Sequence, residues 1–334
     1  MIHARGLVQT FHTREGRQKS EVRAVDGVDL DVAEGEVVGF LGPNGAGKTT
    51  TLRMLTTLLR PTAGTATVAG YDVVRESTEV RRRIGYVSQS GSTGSFARAG
   101  NEIVDHGMLY GMAQADARRR GRELFEQLDL PGMWDRQPKS MSGGQRRRLD
   151  IAMGLVHDPT LVFLDEPTTG LDPQARANLW EHIGALRTER GATVFLTTHY
   201  LDEADALSDR IVIIDHGRIV AADTSDNLKA QVAGDLVDLE VTDAGRVTDA
   251  AERLATIATD VEVDGRHARG RVPRAAQAVP GLLRDLTTAQ VELAFFEVKR
   301  PTLDDVFLTL TGRSLRDAEA STETAEPTPA GAPA

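Results

Sequence analysis

Eight residues, Gly42-Pro43-Asn44-Gly45-Ala46-Gly47-Lys48-Thr49, fit the pattern G-x-x-x-x-G-K-[ST], whose chemistry is the holding of phosphate. Glycines let backbone amides approach phosphate oxygens, Lys48 is long enough to reach the β and γ phosphates, and the Thr49 hydroxyl is a ligand for magnesium. An accidental Gly-rich turn would need neither a strand before it nor a helix after it. Here Val37-Val38-Gly39-Phe40-Leu41 is an apolar, strand-like run, and Thr50-Thr51-Leu52-Arg53-Met54-Leu55 opens a helix whose N-terminal amides and dipole attract anions. Leu161-Val162-Phe163-Leu164-Asp165 is an apolar strand ending in a carboxylate suited to magnesium. Glu166 follows it, where a second carboxylate can orient or deprotonate an attacking water. Taken alone, this acidic pair also fits a charged strand end. Ser142-Gly143-Gly144-Gln145 opens another helix, Arg146 to Leu155, with Ser142 as its N-cap and two glycines that permit close approach of a ligand. A second helix N-terminus aimed at an anion calls for a second phosphate, because the first loop serves its own site.

The elements that position these residues follow an α/β rhythm. Short apolar runs alternate with helical patterns to about Ala230, as in a mainly parallel sheet covered by helices, with the nucleotide at the strand ends. Ile2 to Val32 reads as an antiparallel hairpin region of short strands, separated by an exposed polar loop from Arg14 to Lys19. Between Asn101 and Lys139 the strands stop. A helix over Asp116 to Leu130, with Leu124, Phe125 and Leu128 apolar, marks an inserted helical subdomain spanning about 96–155.

After Asp226 the units shorten. Strand Leu236–Val241, helix Val247–Ile257, strands Val261–Val263 and Ala268–Val272, helix Ala278–Leu286 and strand Val291–Val298 give β-α-β-β-α-β, a ferredoxin-like order. A terminal helix over Thr302 to Thr311 carries Leu303, Val306, Phe307 and Leu310 on one face. The expected domains are therefore 1–230 and 235–312, followed by a disordered tail, 313–334, rich in Ala, Thr, Glu and Pro.

Composition narrows the partners. At 334 residues the chain has room for one large and one small domain. A net charge of -10 and pI near 5.4 disfavour nucleic acid, whose backbone calls for a basic surface. Arg81-Arg82-Arg83, Arg118-Arg119-Arg120 and Arg146-Arg147-Arg148 read as solvated helix faces. The absence of cysteine excludes disulfides and thiolate metal sites. Met1 to Gly6 has no signal-peptide core, and runs such as Arg210 to Ile214 fall far short of the roughly 18 apolar residues of a membrane helix. The expectation is a soluble, cytoplasmic protein.

Two motifs in order, the phosphate loop and Met141-Ser142-Gly143-Gly144-Gln145, resemble the ATP-binding cassette family, the second its signature motif with Met141 in place of leucine. The resemblance runs from about Ile2 to Ala230. It implies an α/β P-loop ATPase with an antiparallel β-subdomain and a helical subdomain. Gln89, after Ile84-Gly85-Tyr86-Val87, resembles the glutamine that joins the metal site to the transmembrane partner. Thr169-Gly170-Leu171-Asp172 resembles the loop by which two cassettes touch, and His199, after Thr193 to Thr198, the switch histidine at the γ-phosphate. Phe11 resembles the aromatic that stacks on adenine; a core phenylalanine is its alternative. Arg300-Pro301-Thr302-Leu303-Asp304-Asp305-Val306-Phe307-Leu308, within Leu236 to Gly312, is similar to the C-terminal domain of daunorubicin/doxorubicin-resistance ATP-binding subunits (DrrA type).

That family implies two cassettes packed head to tail, each ATP held between the phosphate loop of one and the Ser142-type motif of the other. It implies ATP and Mg2+ as ligands, Lys48, Asp165, Glu166 and His199 as hydrolytic residues, and a homodimer joined to a separate permease on the inner face of the membrane. The function so implied is energising efflux of a hydrophobic drug, antibiotic or lipid. An importer subunit, or a soluble cassette ATPase acting on ribosomes or DNA, is the alternative.

Overall fold

The computed structural model describes residues 1–15, 18–91, 93–94, 96–232, 234–312 and 314–315. They form two compact units, Met1–Thr224 joined by Leu315, and Ser225–Ser314.

The first unit opens with β1 (Ile2–Glu15), β2 (Gln18–Val32), β3 (Val37–Leu41), α1 (Lys48–Leu55), β4 (Ala63–Val68) and β5 (Tyr71–Asp72). It continues with α2 (Ser77–Arg83), β6 (Ile84–Val87), α3 (Ala99–Leu109), α4 (Gln114–Gln127), α5 (Gly143–Leu155) and β7 (Leu161–Asp165). α6 (Pro173–Arg190), β8 (Thr193–Thr198), α7 (Leu201–Leu207), β9 (Arg210–Asp215) and β10 (Arg218–Asp223) complete it.

Strands in the order β10-β9-β3-β8-β7-β6 make a sheet that is parallel except at β10. β3, β7 and β8 are buried along their whole length, as befits a sheet covered on both faces. Alternate side chains serve opposite layers. Phe40, Phe163 and Phe195 join the core that includes Leu52 of α1 and Val25 and Val28 of β2. Val162, Leu164, Val194 and Leu196 join the core of α3, α4, α5 and α6. The Phe195 ring lies 5.4 Å from that of Phe40 and 5.6 Å from that of Phe163, so one side chain bridges β3 and β7. Register aligns Leu41 with Thr198 and Asp165 with Thr197. Three neighbouring strands thus end at one level, and the turns after them converge.

The antiparallel sheet β2-β1-β4-β5 stands beside this one. Its hairpin is longer than the polar composition suggests. Of the expected loop from Arg14 to Lys19, Arg14 pairs with Lys19 and Glu15 with Gln18 as strand, because ladder bonds between backbones do not require apolar side chains; Gly16 and Arg17 lie outside the described residues. In the helical segment α4 begins and ends earlier than the apolar spacing indicates, and Leu124, Phe125 and Leu128 are buried.

The second unit comprises α8 (Ser225–Ala230), β11 (Asp235–Val241), α9 (Val247–Leu254), β12 (Thr259–Asp264), β13 (His267–Val272), α10 (Ala275–Thr288), β14 (Leu293–Lys299) and α11 (Leu303–Thr311). Its sheet, β12-β13-β11-β14, is antiparallel throughout and has the ferredoxin-like strand order. Val237, Leu239 and Val241 pack on Leu254 of α9 and Leu282 and Leu286 of α10. α11 is closed at its N-terminus by a capping box between Thr302 and Asp305. Leu303, Val306 and Phe307 are buried as expected, but Leu310 is exposed, so the apolar stripe stops one turn early. Leu315 is also buried, against the expectation that everything after Arg313 stays out of a core; from residue 316 onward that expectation lies outside the described residues.

Phe195→Ala should cost about 3–5 kcal/mol, because it opens a cavity between three strands. Urea denaturation of the full chain measures this; a loss below about 1 kcal/mol would mean that the ring does not lock β8 between its neighbours.

Candidate nucleotide-binding site

The phosphate loop leaves β3 and enters α1 with Gly47 at φ 105°, a left-handed conformation that favours glycine. A Cβ at Gly42 would lie 2.2 Å from the Ile214 carbonyl oxygen, so β9 leaves no room for a side chain there. Pro43 and Ala46 are buried, Asn44 and Gly45 exposed, and Thr50 half-buried. Lys48, the first residue of α1, is buried. Its ammonium donates to the carbonyls of Gly42 (2.7 Å) and Pro43 (3.1 Å), and sits 3.4 Å from Glu166 Oε1.

Asp165 and Glu166 divide the neighbouring groups between them. The Thr49 hydroxyl donates to Asp165 Oδ1 at 3.0 Å, and Thr197 donates to the same oxygen at 2.7 Å. A hydroxyl and a carboxylate side by side are hard oxygen donors, and that donor set fits magnesium. Glu166 has φ 44°, unusual for a residue with a side chain, and its amide is fixed by Thr197. Its Oε2 accepts from Gln89 Nε2 at 2.9 Å and from Thr169 Oγ1 at 3.1 Å. Its Oε1 faces Lys48 Nζ and His199 Nδ1, both 3.4 Å away, and the histidine nitrogen makes no hydrogen bond there. Burial pushes the carboxyl up, but the nearby His199 ring and the Lys48 charge outweigh it and hold the group at about 2. Glu166 is therefore an ionised and weakly basic carboxylate.

Lys48, Thr49, Gln89, Asp165, Glu166 and His199 thus come together, although they are spread over 152 positions of sequence (Lys48 to His199, counted inclusively). Gln89 spends its amide nitrogen on Glu166, which leaves its carbonyl oxygen as the atom suited to a metal. Ser142 to Gln145 stand apart. Ser142 Oγ accepts from the Gln145 amide at 3.2 Å, and Gln145 Oε1 accepts from the Ser142 amide at 2.9 Å, which closes the α5 N-terminus as a capping box. Ser142 and Gly143 are exposed; Gly144 lies against Ala175, whose Cβ would be 3.2 Å from an added one. Asp172 caps α6 by accepting from the Ala175 amide. Phe11 is 39% exposed on β1, so its ring face is available and it is not a core residue.

Sequence reasoning missed Arg147. Its place in Arg146-Arg147-Arg148 suggests a solvated face, yet it is buried and donates to the carbonyls of Ser88, Asp165, Glu166 and Pro167. The signal in the sequence is helical spacing: Arg147 stands four residues before the apolar Ile151, on the same helix face, and both are buried. Thr197 was missed for another reason. It reaches Asp165 only through parallel register between β7 and β8, which no local pattern displays.

Two family profiles match the chain. The ABC transporter family matches residues 25–169, and the ATP-binding protein DrrA1-3-like C-terminal domain matches residues 224–311. Daunorubicin resistance ATP-binding protein DrrA3 of Streptomyces coeruleorubidus is 43% identical over 94% of this chain and 100% of its own length. Daunorubicin/doxorubicin resistance ATP-binding protein DrrA of Streptomyces peucetius is 44% identical over 95% of this chain and 94% of its own. Linearmycin resistance ATP-binding protein LnrL of Bacillus subtilis is 35% identical over 88% and 95%. Among solved structures, a dimeric ATP-binding cassette in a post-hydrolysis state with ADP and phosphate superposes with a TM-score of 0.61 at 26% identity, covering 67% of this chain and 98% of that one.

The depressed Glu166 carboxyl also sets a pH dependence. Because its folded value, about 2, lies below the ordinary 4.5, the ionised group contributes stability that is complete above about 4.5 and lost as pH falls towards 2. Between those values wild type should lose stability faster than Glu166→Gln in urea titrations. Parallel curves would show that the cluster does not hold this charge.

Proposed function

The chain belongs to the ABC transporter family, and from that premise we propose that it is the ATPase subunit of an exporter that moves a hydrophobic compound, such as an antibiotic or lipid, through a separate permease. The observation that carries the catalytic part is the convergence of Lys48, Thr49, Gln89, Asp165, Glu166 and His199 at the ends of β3, β7 and β8. Lys48, already desolvated, exchanges loop carbonyls for the β and γ phosphates, while backbone amides of Gly45 to Thr49 take the remaining phosphate oxygens. Thr49, Asp165 and Gln89 would hold Mg2+, which when bound would neutralise phosphate charge. Glu166 orients the attacking water. The carboxylate is ionised beside Lys48 and His199, the form that can orient the water and accept its proton. His199 faces the same carboxylate and reads the γ-phosphate.

Ser142-Gly143-Gly144-Gln145 serves a second nucleotide in a homodimer. Its exposure at a preformed helix N-terminus supports that reading, since it is free to meet the phosphates held by another copy. Asp172 lies at the contact between copies and Phe11 stacks on adenine.

Among the described residues no helix is long and apolar enough to cross a membrane. ATP-driven closure is delivered to the permease from the cytoplasmic face. The helical segment supports this with exposed apolar side chains, Phe96, Met108 and Leu109, and a groove of about 560 Å³ lies where its Leu109 and Tyr110 face Arg81 and Arg82 of α2.

Lys48→Ala should weaken ATP binding by at least about tenfold, whereas Glu166→Gln should bind ATP normally, lose hydrolysis and accumulate as a closed dimer. Calorimetry, phosphate release and sizing with ATP check this pair; normal turnover by Glu166→Gln would remove the carboxylate from catalysis. Copurification from membranes should recover a multispanning permease with wild type and much less with Phe96→Asp/Leu109→Asp, at unchanged ATP affinity. Equal recovery would place the permease contact elsewhere.

A further inference from the structure

Gln89 can orient Glu166 only if its own backbone is fixed, and the groups that fix it come from α5. Arg147 and Asp150 lie three residues apart on one face of that helix, and both are buried. Arg147 Nη1 donates to the Ser88 carbonyl, immediately before Gln89, at 2.5 Å. Asp150 Oδ1 accepts from the Thr93 amide at 3.1 Å. From Ser88 to Gly91 the backbone is drawn tight: the Ser88 hydroxyl donates to the Gly91 carbonyl at 3.1 Å, and Gly91 has φ 77°. A Cβ on Gly91 would lie 2.7 Å from Asp150 Oδ2, so glycine is what lets this backbone lie against the carboxylate. The other side of the Arg147 guanidinium grips the turn carrying the two acids, with Nε donating to the Pro167 carbonyl at 2.7 Å and Nη2 to those of Asp165 at 2.9 Å and Glu166 at 3.3 Å.

We propose that Arg147 and Asp150 are positioning residues that tie the Gln89 backbone and the Asp165-Glu166 turn to the helix that begins at Ser142. A displacement of that helix N-terminus is then transmitted along α5 to the Gln89–Glu166 contact in the same chain. Since Ser142 serves the nucleotide held by the partner copy, the clamp links the state of one site to the alignment of the other. The geometry is suited to this. The planar guanidinium holds four carbonyls from two loops at once, and a buried cation bound to fixed dipoles resists independent movement of any of them. The inference rests on the reading of Glu166 as the group that acts on water.

The test is a mutant cycle in the full-length chain. Asp150→Ala should lower kcat at least about tenfold with KM and ATP affinity within about threefold, because the phosphate loop is untouched. Asp150→Asn should recover most of the rate, since its Oδ1 still accepts from Thr93. If Asp150 acts through Gln89, the double variant Gln89→Ala/Asp150→Ala should be no slower than the slower single variant. Multiplying effects, a loss confined to KM, or no recovery by Asn would overturn the proposal. If Asp150→Ala does not fold, Arg147→Lys, which keeps the charge but loses the planar fork, takes its place in the cycle with the same expectation. Glu166→Gln separates the two readings: normal hydrolysis there removes both, whereas an inactive Glu166→Gln beside multiplying Gln89 and Asp150 effects removes only the positioning role.

Discussion

A buried ionised carboxylate is the constraint around which the first unit is arranged. Glu166 is 6% exposed and remains charged, a state that burial alone opposes. It is tolerable because the surrounding elements each supply a polar group: Lys48 from α1, Gln89 after β6, Thr169 from the following turn and His199 after β8. Those groups cannot meet at one point unless β3, β8 and β7 are neighbours ending at one level, which the parallel register provides. The positive φ of Glu166 belongs to the same compromise, since the turn bends sharply to aim the side chain back over the strand ends.

Electrostatics also separates the N-terminal ends of α1 and α5. The α1 end faces a buried lysine and the acidic pair of the same chain. The α5 end has closed its own capping box and lies exposed, a preformed N-terminus without such company. Behind it the helix is anchored by a buried arginine, whose desolvation is compensated in part by carbonyl dipoles and by the charges of Asp150 and Asp165. One helix thus presents an open end to the outside and a rigid root to the catalytic turn.

The second unit needs none of this polar machinery. It has its own core, in which alternate residues of β11 meet α9 and α10, and the opposite face carries polar contacts such as Asp238 with His267 and the ion pair of Asp238 with Arg269. A separate core explains why its pattern of short strands and helices was readable independently of the ATPase unit, and why the matched DrrA1-3-like region coincides with a change in element length.

By itself the sequence determined which chemistry was available. The phosphate loop, the acids after an apolar strand, the serine-capped helix and the β-α-β-β-α-β order are local patterns, because turn conformation, capping and side-chain periodicity act over a few residues. Leu310 and the Arg14 to Lys19 segment were misread by the same local logic, since exposure and ladder pairing depend on what lies alongside. Only the tertiary structure decided that Thr197 shares Asp165 with Thr49, that Glu166 sits among four partners, and that Arg147 faces inward to grip the loops around it. Thr169 apart, these are contacts between elements far apart in the chain, fixed by strand order and register. No window of the sequence contains both sides of them.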